Sequence, residues 1–251
     1  MYMHNNSLNI TLVKIMAFIH IFSLTMAGIF TIQHWNCHSF NSNFPEFMWS
    51  LSQTNQIPSI ICLQETWYKT KEEHPEIHGY KLASFSVKDN TKGGGTAIYA
   101  RNNLSYTTHC YESKFETSCI EFTLNRQLIT LVNLYDASKD TKYYHYLELI
   151  NQLKGNFIVC GDFNAHHRLW GSKVNDTKGS ELYEYVSNND DVVILNDGSG
   201  TRQNPTNLEL SCIDLSICST NIAHKITWSV DHSSLYGSDH FVINLFSMNL
   251  K

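Results

Sequence analysis

The sequence has no excess of positive charge. Its 18 Lys and Arg residues are outnumbered by 23 Asp and Glu residues, which leaves a formal net charge of -5 with histidine neutral. A protein that holds nucleic acid mainly by neutralising its phosphates has a basic surface, so that class of protein is excluded. Weaker binding of nucleic acid is not excluded, because histidines, of which there are 13, can gain a proton beside phosphate.

Cysteine pairs with metal-ligand or redox spacing are also missing. The seven cysteines form no CxxC pair and no regular framework, and several lie in apolar runs such as residues 60–63. We therefore predict buried, free thiols. Such thiols favour a reducing, intracellular compartment, nuclear or cytoplasmic.

No internal repeat or low-complexity linker divides the chain, whose 251 residues suffice for one sizeable α/β domain. The N-terminal segment departs from this pattern, because residues 15–30 are apolar apart from one histidine and two hydroxyl side chains. This run is similar to the apolar region of a signal peptide or to a short membrane anchor. The alternative is a loosely helical extension. We divide the chain into an apolar extension, residues 1–30, and a domain, residues 31–251.

Apolar runs of strand length alternate with only a few segments of helical spacing. Strands are predicted at residues 31–36, 59–64, 96–100, 104–107, 119–124, 128–135, 157–162, 192–195, 213–217, 226–230 and 241–246. Helices are predicted at residues 44–51 after an Asn43 cap, at 141–153 and around 182–186. The pattern favours an α/β four-layer sandwich, in which two packed mixed β-sheets are flanked by helices, over a doubly wound sheet or a barrel.

Two short polar segments predict turns between these strands. Asn102 and Asn103 predict a hairpin that joins the strand at residues 96–100 to the next one. Residues 125–127 predict the turn that follows residues 119–124.

Polar residues that can carry chemistry lie where the predicted strands end. They are Asn36, Glu65, Tyr135, Asp162 with Asn164, and Asp239 with His240. Phosphodiester hydrolysis needs a metal held by oxygen ligands, a positioned water and donors to the charge that grows on the phosphate. Glu65 can bind a hard cation, Asp162 can deprotonate water, and His240 can stabilise the charge. Taken singly, each is more often a solvated loop residue, a packing residue or a cap.

Sequence context also predicts the side-chain direction of Asp214 and the roles of His166, His167 and Trp170. In the run 212–218 the aliphatic residues alternate with smaller or polar ones, so Asp214 is predicted to point away from Ile213 and Leu215. Adjacent histidines cannot both turn to one metal ion without strain, so we expect His166 and His167 to be loop or DNA-facing residues. For Trp170 we favour core packing over a groove contact.

In chain order, these motifs resemble the endonuclease/exonuclease/phosphatase superfamily, also called DNase I-like. The resemblance covers residue 31 to the C-terminus and is carried by Trp35-Asn36, the segment 63–66, the segment 132–135, Gly161-Asp162-Phe163-Asn164, the segment 211–215 and Gly237-Ser238-Asp239-His240. Within the superfamily it is similar to the endonuclease domains of LINE-type, non-LTR retrotransposons. Three details indicate this subgroup: Gly161–His167 with Trp170-Gly171-Ser172, the Gly93–Ile98 run, and Ser-x-Ile-Asp-Leu before the final Ser-Asp-His.

The resemblance implies a role for each matching position. Glu65 is the main metal ligand, with Asn36 near the metal and Asp239 assisting at the metal or at His240. Asp162 and Asn164 place the attacking water, and His240 contacts the scissile phosphate while Asp214 holds its ring. Three hydroxyls are implied at the substrate phosphate: Thr201, Ser238 and Tyr135. The implied cofactor is Mg²⁺, with Mn²⁺ as a substitute.

The resemblance implies a monomeric endonuclease that nicks duplex DNA and leaves a 3′-hydroxyl and a 5′-phosphate. It also implies a reverse transcriptase domain or protein as a partner that is missing from this sequence. One alternative keeps the site and changes the substrate to an abasic site, RNA, or a phosphorylated lipid or sugar. The other is a catalytically silent binding domain, in which Glu65 or His240 is replaceable without loss and metal does not matter.

Overall fold

The protein is described here by a computed structural model that covers residues 29–54, 57–87, 93–233 and 235–247. The predictions for the apolar extension fall almost entirely outside these ranges. Within them, no helix combines the length and the apolar character needed to cross a membrane.

Fourteen strands and four α-helices make up the described part of the chain. The strands are β1 Phe30–Asn36, β2 Ile60–Gln64, β3 Tyr80–Ser86, β4 Thr96–Arg101, β5 Tyr106–His109, β6 Glu116–Leu124, β7 Gln127–Tyr135, β8 Asn156–Asp162, β9 Val192–Ile194, β10 Arg202–Gln203, β11 Leu210–Ser211, β12 Asp214–Ser219, β13 Ile226–Asp231 and β14 Val242–Ser247. The helices are α1 Phe40–Gln53, α2 Tyr143–Ile150, α3 Thr177–Ser187 and α4 Thr220–Ala223, and short 3-10 turns cover Lys71–Glu73 and Arg168–Trp170.

The strands form two six-stranded mixed sheets and a small two-stranded ribbon. The first sheet has the order β13-β14-β1-β2-β4-β3 and the second has the order β5-β6-β7-β8-β12-β9, while β10 pairs with β11. Each large sheet contains one parallel pair, β1 with β2 and β7 with β8, and its other neighbours are antiparallel.

Three apolar layers hold the sheets and helices together. Side chains such as Ile60 and Ile98 meet Leu131 between the two sheets. The outer face of the first sheet packs against α1 through residues such as Phe47. The outer face of the second sheet packs against α2 and α3 through residues such as Leu182. The predicted four-layer sandwich is therefore confirmed.

All eleven predicted strands overlap an observed strand, but two other local predictions were wrong. Helix α1 begins at Phe40 rather than after Asn43, so Asn43 and Pro45 both lie inside it, and the Asn43 side chain donates to the Cys37 carbonyl oxygen at 2.8 Å. The predicted hairpin at Asn102 and Asn103 is a turn that crosses between sheets, since β4 pairs with β2 and β3 while β5 pairs with β6.

Two smaller differences concern α2 and the cysteines. Helix α2 spans Tyr143–Ile150 and is shorter than the predicted 141–153. All seven cysteines are free and six are buried, but Cys110 is exposed, contrary to the prediction. The turn at Asn125 and Arg126 is confirmed, with φ of 51° and 63° between paired strands β6 and β7.

Candidate active site

The topology brings the predicted polar residues to one edge of the sandwich. Parallel strands end at the same edge, and the registers align Asn36 with Gln64 and Tyr135 with Asp162. Strand β12 runs antiparallel to β8 and begins there, because Asp214 is opposite Asp162. Residues far apart in sequence therefore meet at this edge.

Asn36 joins two carboxylates at the centre of the site. Its Nδ2 donates to Glu65 Oε1 at 3.0 Å and to Asp162 Oδ2 at 2.8 Å, while its Oδ1 accepts from the His38 amide at 3.1 Å. The amide orientation is fixed by these contacts, since the two carboxylates accept and the backbone N–H donates. Asn36 thus sets the relative position of Glu65 and Asp162.

Asp162 is a buried carboxylate with an unusually high proton affinity. Asn164 donates to it from its backbone N at 2.8 Å and from Nδ2 at 3.1 Å. Burial, followed by the charge of Asp214, raises the pKa of Asp162 from 3.8 to about 7, although the hydrogen bonds from Asn36 and Asn164 oppose this. A carboxylate with a pKa near neutrality is suited to accept a proton from water.

His240 is held by Asp214. Its Nδ1 lies 3.0 and 2.9 Å from the two Asp214 carboxylate oxygens, and its carbonyl oxygen accepts from the Trp35 indole at 3.0 Å. Burial lowers the pKa of His240, but the charges of Asp214, Asp162 and Asp239 together raise it to about 9. The imidazole is therefore protonated at neutral pH, with its Nε2 3.7 Å from Asp239 Oδ1.

The prediction that Asp214 points away from its aliphatic neighbours is confirmed. Asp214 contacts His240, whereas Leu215 and Ile217 pack in the layer beneath α2 and α3. Thr201 extends this chain of contacts, since its hydroxyl donates to Asp214 Oδ2 at 2.7 Å.

Asp239 is paired with a residue that the sequence did not point to. The Arg202 Nε and one terminal guanidinium nitrogen both lie 2.7 Å from Asp239 Oδ2. Burial raises the pKa of Asp239, but the charges of His240 and Arg202 lower it by more, so it lies below its ordinary value. The metal contact predicted for Asp239 stays a prediction, and in this geometry it competes with Arg202.

The three hydroxyls predicted at the substrate phosphate are each bonded to the protein. Tyr135 donates to Glu65 Oε1 at 3.0 Å, and Ser238 donates to the Asn36 carbonyl oxygen at 2.8 Å. Thr201 is 0% exposed and Ser238 is 8% exposed, which argues for supporting positions behind the site. Phosphate contact by these residues stays a prediction.

The donor set at this edge fits a hard divalent cation. Glu65 and Asp162 supply carboxylate oxygens held close together by one amide, and Mg²⁺ and Mn²⁺ prefer such oxygen ligands. A second cluster, Asp162, Asp214 and His240, has ligand atoms within 4.8 Å of one another. We prefer Glu65, because His240 Nδ1 and both Asp214 oxygens are already hydrogen-bonded to each other.

The loop after Asn164 is held by packing. Trp170 is fully buried and its indole donates to the Ala165 carbonyl oxygen at 3.0 Å, which confirms the packing role. His167 stacks on Tyr183 with ring centroids 4.6 Å apart, and its Nδ1 accepts from the Leu169 amide. One nitrogen of His167 is thus used within the loop.

Several residues that support the site were missed in the sequence. Lys178 on α3 is buried, lies 3.1 Å from Asp136 Oδ2 and donates to the Asp136 carbonyl oxygen, which also accepts from Asn164. His38 and Trp67 lie two residues after Asn36 and Glu65, and that proximity is the signal that could have identified them.

The chain is similar in sequence to known proteins. A family described as "Endonuclease-reverse transcriptase" matches residues 129–244. The chain is 28% identical over 195 residues to a probable RNA-directed DNA polymerase from transposon BS of Drosophila melanogaster, covering 72% of this chain and 21% of that protein. A second such protein, from transposon X-element of the same organism, is 25% identical over 174 residues, with 67% and 18% covered. The chain therefore spans about a fifth of the length of these curated relatives.

Solved structures share the fold. The endonuclease domain of TRAS1, a telomere-specific non-LTR retrotransposon, has a TM-score of 0.71 at 21% identity and covers 89% of this chain and 100% of its own. The AP endonuclease LMAP from Leishmania major has a TM-score of 0.71 at 15% identity, with 89% of each chain covered. In its motifs, in the partial family match and in its fold, the chain is therefore similar to the endonuclease/exonuclease/phosphatase superfamily and to the LINE-type endonuclease domains.

Proposed function

We propose that the chain is a divalent-metal-dependent endonuclease that nicks one strand of duplex DNA and leaves a 3′-hydroxyl and a 5′-phosphate, as in retrotransposon target-site cleavage. The observation that carries the proposal is the hydrogen-bonded array in which Asn36 joins Glu65 to Asp162, beside His240 held by Asp214. The TRAS1 endonuclease domain and the retrotransposon relatives support it.

In this function Asp162 acts on the attacking water. Its pKa of about 7 lets it accept a proton from a water molecule near neutral pH, while Asn164 and Asn36 fix the direction of its oxygens. The water oxygen forms the new bond to phosphorus, the bond from phosphorus to the 3′ oxygen breaks, and that oxygen leaves as the 3′-hydroxyl after protonation.

His240 acts on the phosphate. Its imidazolium Nε2 donates to a non-bridging oxygen as negative charge grows there, and Asp214 keeps the ring charged and aligned. Both groups are buried, so the interaction is screened less than it would be in water.

Glu65 would hold Mg²⁺ or Mn²⁺, with Asn36 and Asp239 beside it. When bound, such a cation supplies positive charge that stabilises the phosphate and the leaving oxygen. Tyr135 donates to Glu65, and its pKa is raised by burial and by the charges of Glu65 and Asp162, so it stays a hydrogen-bond donor at neutral pH. We further propose that DNA is the substrate, that the chain acts as a monomer in the cell interior, and that a reverse transcriptase is its partner.

The test is conversion of supercoiled plasmid to open circles by the full chain, with Mg²⁺ or with EDTA. Conversion is expected only with Mg²⁺ and is expected to be lost in Asp162→Asn and His240→Ala. The matched controls are Asp190→Asn and His224→Ala, because both residues are exposed and outside the site. No conversion by a folded protein would contradict the proposal and direct attention to RNA, abasic or phosphomonoester substrates. Retention of activity in both site variants would contradict the assigned site.

A further inference from the structure

Two solvent-exposed aromatic side chains, His38 and Trp67, meet at the rim of the site. Their ring centroids are 5.1 Å apart, and 53% of the His38 side chain and 37% of Trp67 are exposed. Three other tryptophans, at positions 35, 170 and 228, are at most 8% exposed. We call His38 and Trp67 the aromatic ledge.

The aromatic ledge borders the residues that carry the proposed chemistry. The Trp67 indole N–H donates to Glu65 Oε2 at 3.2 Å. At the other end, His38 Nδ1 lies 3.7 Å from Asp239 Oδ1, which is itself 3.7 Å from His240 Nε2. If the scissile phosphate lies between Glu65 and His240, the adjoining nucleotide of the same strand therefore lies beside the aromatic ledge.

The backbone of the aromatic ledge is held in an uncommon conformation. His38 and Trp67 have φ of 43° and 63°, in the left-handed region that bulky side chains rarely adopt. Hydrogen bonds hold both in place, because the His38 amide donates to Asn36 Oδ1 and the Trp67 amide donates to the Gly94 carbonyl oxygen. Such conformations persist where the surroundings over-determine them, and they concentrate at functional sites.

The glycine run 93–95 provides the floor for Trp67. A Cβ built on Gly93 would lie 3.5 Å from the Trp67 indole nitrogen, in ordinary van der Waals contact, so the loop runs close to the nitrogen side of the ring. Gly93 and Gly94 also have φ of 84° and 76°, which favours glycine. The nitrogen side of the indole therefore lies near the glycine loop, while 37% of Trp67 stays exposed.

We propose that the aromatic ledge binds the nucleotide that adjoins the scissile phosphate, with the Trp67 ring against its base and sugar and the His38 imidazole toward the next phosphate. This inference rests on the proposed nuclease function and adds a substrate-contacting site to it. A base that is unstacked from its neighbour at the scissile phosphate offers an apolar face to Trp67, and stacking of this kind tolerates any sequence. An aromatic contact also suits a chain of net charge -5, which has little positive charge with which to hold phosphates.

The test measures binding of a short fluorescein-labelled DNA duplex by the full chain carrying Asp162→Asn, so that cleavage does not interfere. Adding Trp67→Leu is expected to weaken binding by about 5- to 150-fold, the cost of losing the stack of one base. Trp67→Phe keeps a ring without the indole N–H and is expected to bind within about threefold of the parent. Near-ultraviolet circular dichroism verifies that each variant is folded.

The matched control is Trp49→Leu, because Trp49 on α1 is 64% exposed and is not part of the site. It is expected to leave binding unchanged. DNA is also expected to quench a tryptophan fluorescence component that Trp67→Phe removes and Trp49→Phe retains. Unchanged binding in folded Trp67→Leu would overturn the ledge and leave the nuclease proposal intact. Failure of the unsubstituted chain to bind or nick DNA would overturn both.

Discussion

Replacing Asp214 by Asn is expected to remove the charge that keeps His240 protonated while preserving the shape of the pair. Asp214 is fully buried and both of its carboxylate oxygens lie within 3.0 Å of His240 Nδ1. Two unit charges about 4 Å apart interact by about 4 kcal/mol at an effective dielectric constant of about 20, which corresponds to about three pH units in a pKa. The pKa of His240 is therefore expected to fall from about 9 to about 6.

This change has a defined effect on activity. In the parent, nicking should rise as Asp162 loses its proton near pH 7 and should decline as His240 loses its proton near pH 9. In Asp214→Asn the declining limb should move to about pH 6, so that only about 3% of His240 is charged at about pH 7.5 and nicking there falls by up to about 30-fold.

The assay is single-turnover plasmid nicking in Mg²⁺ from about pH 5 to about pH 10, with Asp190→Asn as the matched control. An NMR titration of the His240 ring, assigned by its loss in His240→Ala, measures the pKa independently. A declining limb that stays near pH 9 in Asp214→Asn would refute the assignment of that limb to the pair.

Three further predictions concern the framework behind the site. Gly161→Ala should destabilise the fold by about 3 kcal/mol or more in urea unfolding, because at φ +144° its Cβ would lie 1.9 Å from a backbone oxygen of β7. Gly198→Ala, which has open space around it, should cost about 1 kcal/mol. Equal losses in the two variants would contradict the steric reason. Lys178→Met should cost about 3–5 kcal/mol, because it leaves the buried Asp136 carboxyl group without its ion-pair partner. The double variant with Asp136→Asn should recover much of this loss, and strict additivity would argue against the pair. Burial lowers the pKa of His34 to about 4, so the unfolded chain binds a proton first as pH falls below about 6.5. By about pH 4 the free energy of unfolding of the parent should therefore fall by about 3 kcal/mol relative to that of His34→Gln. A difference between the two that does not depend on pH would contradict this reasoning.

Local patterns predicted the strands well, because apolar runs bounded by polar turns leave few other ways to bury their side chains. The β1, β2, β7 and β8 predictions agree with the structure to within about one residue. Pairing was harder to predict. The segments around Asn102 look like a hairpin in sequence, but β3 occupies the edge of β4 that the hairpin would need, and nothing local to residues 96–107 encodes that competition.

The candidate site was predicted as a set of positions, and its internal contacts were not. Asn36, Asp162 and His240 follow from motif and strand-end position, since a polar residue at a strand exit faces solvent or a cleft. Two of these contacts depend on how the β10–β11 ribbon lies against the loop before β14. They are the hydrogen bond from the Thr201 hydroxyl to Asp214 and the ion pair between Arg202 and Asp239.

The sequence by itself determined the family resemblance, the strand pattern and the identity of the groups that can do chemistry, because these depend on residue type and spacing. The tertiary structure decided which groups form hydrogen bonds with one another and which charges lie close together. Asn36 reaches Glu65 and Asp162 across 29 and 126 positions of sequence, and His240 reaches Asp214 across 26. Only the face-to-face packing of the two sheets places these groups within about 3 Å, and that proximity, together with burial, sets their proton affinities.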